Sequence, residues 1–411
     1  QFNQIDRVLN SKTIWLCASC KTCTTRCPND IDITEIMDFL KSLALAKGVP
    51  PKVPGVAQFI KIATRNMKWF GRLFEAELAG EMNLRTGQPF KDMDIAAKLI
   101  KTGKLRFFPE VGFRFETQAK SERKTEMAQN VVAYYPGCSV KGTSREFDLS
   151  TRAVADLVGL VLEEPKGWTC CGTAAASWQS ASLGTKLSLD NLKLIKKSGH
   201  TAVTTPCAAC FWHLKHAAAE AKDGQHSDLE DPGVEVEHLI NTMLDRIGLD
   251  KIKEKVTKPL KDLKAVCYYG CLLSRPPKLT GAANPEYPMN MDHIVRALGA
   301  QTLDWSYKTE CCGASQAFTV TDLCLTLVER ILQNAKDVGA EMVVVACPLC
   351  QANLETRQEG IAKRGGPNFD LPVLFFTQLM GLAMGLSSKE VGLPLMLHDP
   401  RPLLTAKGLL S

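Results

Sequence analysis

The sequence predicts an α/β protein in which two duplicated cysteine-rich α/β repeats follow a mainly α-helical front segment. Three observations predict it. From Val131 onward, short β-branched runs alternate with helical stretches, the pattern that builds parallel strands with helices packed between them. Ten of the sixteen cysteines fall into two sets of five with matched order and spacing, the mark of an internal duplication. Before residue 108, apolar residues recur mostly at helical spacing. The chain has 411 residues, 45% apolar and 23% charged. That is a globular composition with room for roughly two to four domains. The expected organisation is a front segment 1–108, a polar linker 109–130, a first repeat 131–260 and a second repeat 261–411.

The front segment carries Cys17-x2-Cys20-x2-Cys23-x3-Cys27-Pro28. Three closely spaced thiolates can wrap one corner of a four-iron cluster, and the proline then turns the chain away. This is the spacing of the bacterial ferredoxin run for a cubane [4Fe–4S] cluster. Cys17, Cys20 and Cys23 are therefore expected ligands, with Cys27 bound to the same cluster or to a neighbour. Zinc usually takes two Cys-x2-Cys pairs separated by a longer loop. A helix is expected from near Ile33, with Ile36, Met37, Leu40 and Leu43 on its face, until Pro50, Pro51 and Pro54 break it. From Val56 to about Leu105 the pattern is again helical, with Phe59, Ile62, Phe70, Leu73 and Phe74 as a packing face.

The first repeat reads Cys138-x31-Cys170-Cys171-Gly172-x34-Cys207-x2-Cys210, and the second Cys271-x39-Cys311-Cys312-Gly313-x33-Cys347-x2-Cys350. Flanking residues repeat too: Tyr134-Tyr135-Pro136-Gly137 against Tyr268-Tyr269-Gly270. Strands are expected at Val131–Tyr135, Val158–Glu163, Thr201–Thr205, Ala265–Tyr269, Gln301–Leu303 and Met342–Ala346. Helices between them include Thr143–Val158, Leu183–Lys197 and Val320–Val338. Cys138, Cys207, Cys271 and Cys347 then follow strand ends, where sites in open α/β sheets gather. A cubane needs one thiolate per iron, so five is one too many. Adjacent cysteines point in different directions, which suits two irons or a bridging thiolate. Disulfides are the plainer alternative, but a vicinal disulfide is strained. Gly172 and Gly313 are expected at turns where a side chain would crowd the approach to the clusters. Cys267 and Cys324 fall outside the pattern and read as small core residues. His213 and His216 form one helix face, which does not by itself make a tetrahedral site. A nearby histidine could still supply a hydrogen bond or a proton.

From about residue 130 to the C-terminus these motifs resemble the cysteine-rich CCG domain of the B-type subunit of heterodisulfide reductase. Residues 1 to about 110, including Ser11 to Cys20, are similar to the later part of its C-type subunit, so the chain resembles a fused C–B polypeptide. The resemblance implies that each five-cysteine set holds a noncubane [4Fe–4S] cluster. The two clusters would clamp a disulfide substrate between them, with electrons supplied through cubane clusters. It implies as partner a flavin-containing protein like the A-type subunit, or some other electron-donating subunit. The C-type subunit normally carries two ferredoxin runs, and only one is recognisable here. Two other readings stay open: an electron-transfer subunit with a non-disulfide acceptor, and a zinc-stabilised interaction module.

The net charge of +6 is uneven, with 21 basic against 14 acidic residues in 1–128. That suits a protein surface or an acidic small ligand; without a dense basic block, no nucleic acid is expected. No glycine-rich nucleotide fingerprint appears. The apolar run Pro372 to Leu386 falls short of the ~20 residues of a spanning helix. A cytoplasmic location is expected, with any membrane association made through a partner.

Overall fold

Two four-stranded sheets, each wholly parallel, form the frame. The structure, a computed structural model, describes residues 4–105, 108, 130–223 and 229–410. The expected linker 109–130 lies outside them apart from Asn130. In the first sheet β1 (Val131–Tyr134), β2 (Val161–Glu163), β3 (Ala202–Thr205) and β4 (Glu235–His238) run in the order β2-β1-β3-β4. In the second, β5 (Lys264–Tyr268), β6 (Gln301–Thr302), β7 (Met342–Val345) and β8 (Val373–Phe375) repeat that order as β6-β5-β7-β8. Each residue of β7 and β8 is buried, as expected of parallel strands covered on both faces by helices.

All six expected strands are present, with ends shifted by one to three residues. The largest shift is at Val158, which closes the helix Arg145–Val158 ahead of Gly159 at φ +74°. The sheet therefore resumes only at Val161. Two strands escaped the sequence reading. Glu235–His238 is an edge strand written with alternating charge, and Val373–Phe375 is three residues inside a longer apolar run.

The two sheets share one apolar core. The helix Arg145–Val158 of the first half packs on Phe376–Ala383 of the second. Phe147 and Phe375 stack with ring centres 3.9 Å apart, and the Ser150 and Thr377 hydroxyls meet at 2.7 Å. The front segment folds as the helices Ile33–Ala46, Pro54–Phe70, Glu75–Arg85 and Met93–Lys101 after three short turns. Pro54 opens its helix, at a position where the missing N–H costs nothing. Phe59 and Ile62 pack as expected, in a second core that includes Trp178 and Cys170 of the first repeat.

Candidate functional site

Strand order decides where the cysteines meet. β1 lies between β2 and β3, so the connection out of β1 runs to one side and the connection out of β3 to the other, which opens a crevice at the strand ends. Cys138 follows β1 and Cys207 follows β3, on the two sides of that crevice; Cys271 and Cys347 repeat the arrangement after β5 and β7. Cys207 caps the helix Ala208–Lys222 and Cys347 caps Pro348–Thr356. Cys210 and Cys350 therefore sit in first turns, where contacts with Cys171 and Cys207, or with Cys312 and Cys347, followed by burial, push their thiols up.

The two sets are built alike. Cys171 and Cys210 Sγ atoms lie 3.5 Å apart, and Cys312 and Cys350 3.9 Å. The Tyr135 hydroxyl donates to the Thr169 carbonyl at 2.5 Å and Tyr268 to Glu310 at 2.6 Å, each tying the first strand to the residue before the adjacent pair. The contacts that Cys171 makes with Cys170 and Cys210 pull its thiol well below its ordinary value. Cys350 does the same, less strongly, for Cys312. Gly137 and Gly270 have positive φ, and a Cβ on either would lie 2.8 Å from the sulfur of Cys210 or Cys350.

All ten cysteines line one cavity of about 1600 Å³. The Cys207 and Cys347 thiols interact directly across the boundary between the halves. Seven of the ten are buried, while Cys138, Cys271 and Cys311 are half-buried. Among the described residues no three His, Cys, Asp or Glu close on a single ion. Thiols strung around a space in pairs fit a multi-iron cluster better than one tetrahedral zinc.

The ferredoxin-type run docks beside the second set. The neighbouring Cys311 thiol, followed by burial, pushes the Cys20 thiol up, and Cys20 Sγ meets the Thr22 hydroxyl at 3.3 Å. Ser315 Oγ donates to the Ala18 carbonyl at 2.9 Å, and Gln316 Nε2 to the carbonyls of Trp15 and Cys17 at 3.0 and 3.2 Å. From the other side the buried Lys41 ammonium reaches the Cys17 carbonyl at 3.0 Å and Asp38 at 2.9 Å, over the Trp178 ring. Cys23 is exposed and Cys27 half-buried; the Cys27 N–H donates to Thr24 and its carbonyl accepts from Asp30.

Gly172 and Gly313 do occupy positive-φ turns beside the adjacent pairs, but for a different reason from the one expected. A Cβ there would meet Ala176, or Leu327 and Cys324, at 3.0–3.1 Å, so these glycines serve helix packing. The glycines that leave room for the Cys210 and Cys350 sulfurs are Gly137 and Gly270, and the repeated Gly-Cys in the sequence was the signal for them. Cys267 is a buried core residue on β5. Cys324 is buried too, and its thiol donates to the Gly313 carbonyl at 2.8 Å, bracing the second cysteine turn. His213 and His216 both line the cavity. Burial holds the His213 imidazole below its ordinary value, and His216 stacks on Trp212 at 4.6 Å.

The cysteine-rich domain family (CCG) matches the chain twice, over residues 132–215 and 265–355. The 8-methylmenaquinol:fumarate reductase membrane anchor subunit of Wolinella succinogenes is 33% identical over 275 residues, 64% of this chain and 96% of that one. The B subunit of the ferredoxin/F420H2-dependent CoB-CoM heterodisulfide reductase of Methanosarcina acetivorans is 29% identical, over 64% of this chain and 92% of its own. The chain belongs to the CCG family of heterodisulfide reductase type. A longer match is to the D subunit of the dihydromethanophenazine:CoB–CoM heterodisulfide reductase of Methanosarcina barkeri. It is 24% identical over 90% of this chain and 78% of that one, a span that takes in most of the front segment as well as both repeats. A Helicobacter pylori protein of known structure shares the fold, with a TM-score of 0.52 and 12% identity over 95% of this chain and 80% of that one. Membership in this CCG family gives the chain an iron–sulfur electron-transfer role within the oxidoreductases. Among the described residues no helix is long and apolar enough to cross a membrane.

Proposed function

We propose that the chain is the iron–sulfur subunit of a heterodisulfide reductase-like complex and that it reduces a disulfide between its two five-cysteine sets. The observation that carries this reading is the meeting of all ten cysteines around one cavity, with Cys207 of one half against Cys347 of the other. Cys138, Cys170, Cys171, Cys207 and Cys210 would hold one noncubane [4Fe–4S] cluster, and Cys271, Cys311, Cys312, Cys347 and Cys350 the second. Cys17, Cys20, Cys23 and Cys27 would hold a cubane. When bound, these clusters supply single electrons at iron atoms with affinity for sulfur.

The chain's own residues do the positioning. Lys41, Ser315 and Gln316 fix the front run so that Cys20 stands against Cys311, which favours the second set as the receiving end. The front segment 1–108 is then the electron inlet, and 131–260 and 261–411 are the two walls of the reaction chamber. Exposed Cys23 marks where an electron-donating partner, such as a flavin-containing protein of the A type, would approach. A cytoplasmic site, with membrane attachment through a partner, fits this role.

The Wolinella relative, named for electron transfer from a menaquinol to fumarate, favours a second reading, electron transfer to a non-disulfide acceptor. Quantifying iron and labile sulfide, with EPR before and after adding candidate thiols, disulfides and quinols, separates the two. Disulfide reduction predicts a thiol-dependent change in the signal and turnover with reduced viologen. A signal that responds to quinol alone overturns it.

A further inference from the structure

Reduction of a disulfide, RS–SR′ + 2 e⁻ + 2 H⁺ → RSH + HSR′, needs protons as well as electrons, and a quinone acceptor has the same need. The iron–sulfur chain carries only the electrons. A group of side chains outside the cysteine sets reaches from the protein surface to the cavity. Glu146 pairs with the Lys104 ammonium at 2.7 Å, with both side chains buried, and Glu146 Oε2 has no hydrogen-bond partner. Glu355 is buried as well; its Oε1 accepts the N–H groups of Leu397 and His398 at 2.9 and 3.0 Å, and its Oε2 has no partner. Glu75 accepts from the Thr143 N–H at 3.0 Å and the Thr143 hydroxyl at 3.1 Å. Glu75, Lys104 and Glu355 all line the cysteine cavity. Three carboxyl groups stand against one ammonium, an unpaired carboxylate away from water is costly, and burial pushes the Glu75 and Glu146 carboxyls up.

Both ends of this group are defined. At the outer end, Glu355 also lines a small surface cavity of about 140 Å³ with Asp370 and His398, so it stands in the wall between that cavity and the large one. At the inner end, Glu75 rests on the turn that follows Cys138. Gly142 makes room for it, since a Cβ there would lie 2.6 Å from Glu75 Oε2. The second half differs at the matching place. Four residues after Cys271 stands Arg275, buried and bonded to Thr22, Thr309 and Glu286. One half offers a protonatable acid where the other has a fixed cation.

We propose that Glu75 donates protons into the cavity at the first cysteine set and is reloaded from the surface through Glu355 and Glu146, with Lys104 between them. This rests on reading the site as one of two-electron, two-proton reduction. The released thiolate takes the proton, RS⁻ + Glu75–COOH → RSH + Glu75–COO⁻. Glu146 and Glu355 return a proton to Glu75, and water at the outer cavity restores theirs. Burial pushes the Glu75 carboxyl up to about 7, against the opposing pull of Thr143, Ser139 and Lys104. It therefore keeps its proton near neutrality yet can give it up. The charged and titratable groups facing it are Lys104, with Glu146 and Glu355 beyond, and Cys138 on the turn below.

Glu75→Gln in the full iron–sulfur protein tests this, because glutamine still accepts from Thr143 but carries no proton. The wild-type rate should fall with rising pH above about 7. The variant should be at least about tenfold slower at pH 6 and nearly independent of pH. A second reading needs no turnover: infrared pH-difference spectra should show a carboxyl titrating near 7 that the variant lacks. A variant with wild-type rate and pH profile overturns the proposal and leaves the disulfide reading standing. If neither protein reduces a disulfide or a quinone, the functional reading fails and the infrared band decides the proton store alone. A Glu75 band titrating near 4.5 would then overturn it.

Discussion

Gly137→Ala and Gly270→Ala should each strip iron from one five-cysteine set. Gly137 has φ +79° and ψ 165°, and Gly270 has φ +70°. For alanine, such backbone conformations cost roughly 1–3 kcal/mol. The new Cβ would also lie 2.8 Å from the sulfur of Cys210 or Cys350, well inside the ~3.5–4.0 Å of a favourable carbon contact. Overpacking of that kind adds about 1–3 kcal/mol, so each variant should lose on the order of 2–6 kcal/mol. Where the strain is relieved matters more than its size. The atom that must move is the thiol proposed to bind iron. Gly172→Ala and Gly313→Ala serve as controls, since they also force alanine to positive φ but press first on Ala176 and Leu327. Urea unfolding should show all four variants weakened. Iron and labile sulfide per chain should fall by one cluster's worth only for Gly137→Ala and Gly270→Ala, and by two in the double variant. A full iron complement in both, alongside the expected loss of stability, would refute the assignment of Cys210 and Cys350.

Cys312→Ser should abolish disulfide turnover, with the front cluster still reducible by an artificial donor; half the activity retained would defeat the two-walled reading. Lys41→Met removes a buried ammonium that holds the Cys17 carbonyl and Asp38. It should cost about 3–5 kcal/mol in urea unfolding and broaden the front cluster's EPR signal. Burial pushes the Asp32 carboxyl up, but Lys21, the Thr34 hydroxyl and the Glu35 N–H outweigh it and hold it at about 2. Its stabilisation is full above the unfolded value of about 3.9 and is lost as pH falls through 2. Asp32→Asn should accordingly weaken the protein at pH 7 and make little difference near pH 2, as read from denaturant midpoints.

The frame was legible because parallel strands flanked by helices leave a strong trace, as at Met342–Val345, and because doubled cysteine spacing survives drift in the loops. β4 was hidden because an edge strand such as Glu235–His238 has no need to be apolar. β8 was hidden because its three residues merge with the helix that follows. The ten cysteines could be grouped from spacing alone. The contact of Cys207 with Cys347 could not, since it depends on how the two sheets share a core through Phe147 and Phe375. Glu75 lay equally out of reach. It reads as an ordinary first-turn acid of a surface helix, and only the packing of the front segment on Thr143 encloses it.

The differences between the halves carry more functional meaning than their likeness. Both keep the tyrosine hydroxyl on the carbonyl before the adjacent pair and the glycine under the last thiol, the features that shape a five-cysteine set. They diverge at the next positions out. Three residues after the last cysteine stands His213 in the first half and Asn353 in the second, where Asn353 Nδ2 donates to the Cys312 carbonyl at 2.5 Å. Four residues after the first cysteine, Gly142 admits Glu75, whereas Arg275 reaches across to Thr22 of the front run. The second half is thus furnished with fixed donors, Arg275 on the front run and Asn353 on the cysteine turn, and the first has room for the Glu75 carboxyl. On the proposed reading electrons reach the cavity from one wall and protons from the other. A symmetric pair of sets would gain nothing from that division, and a reaction that consumes both would.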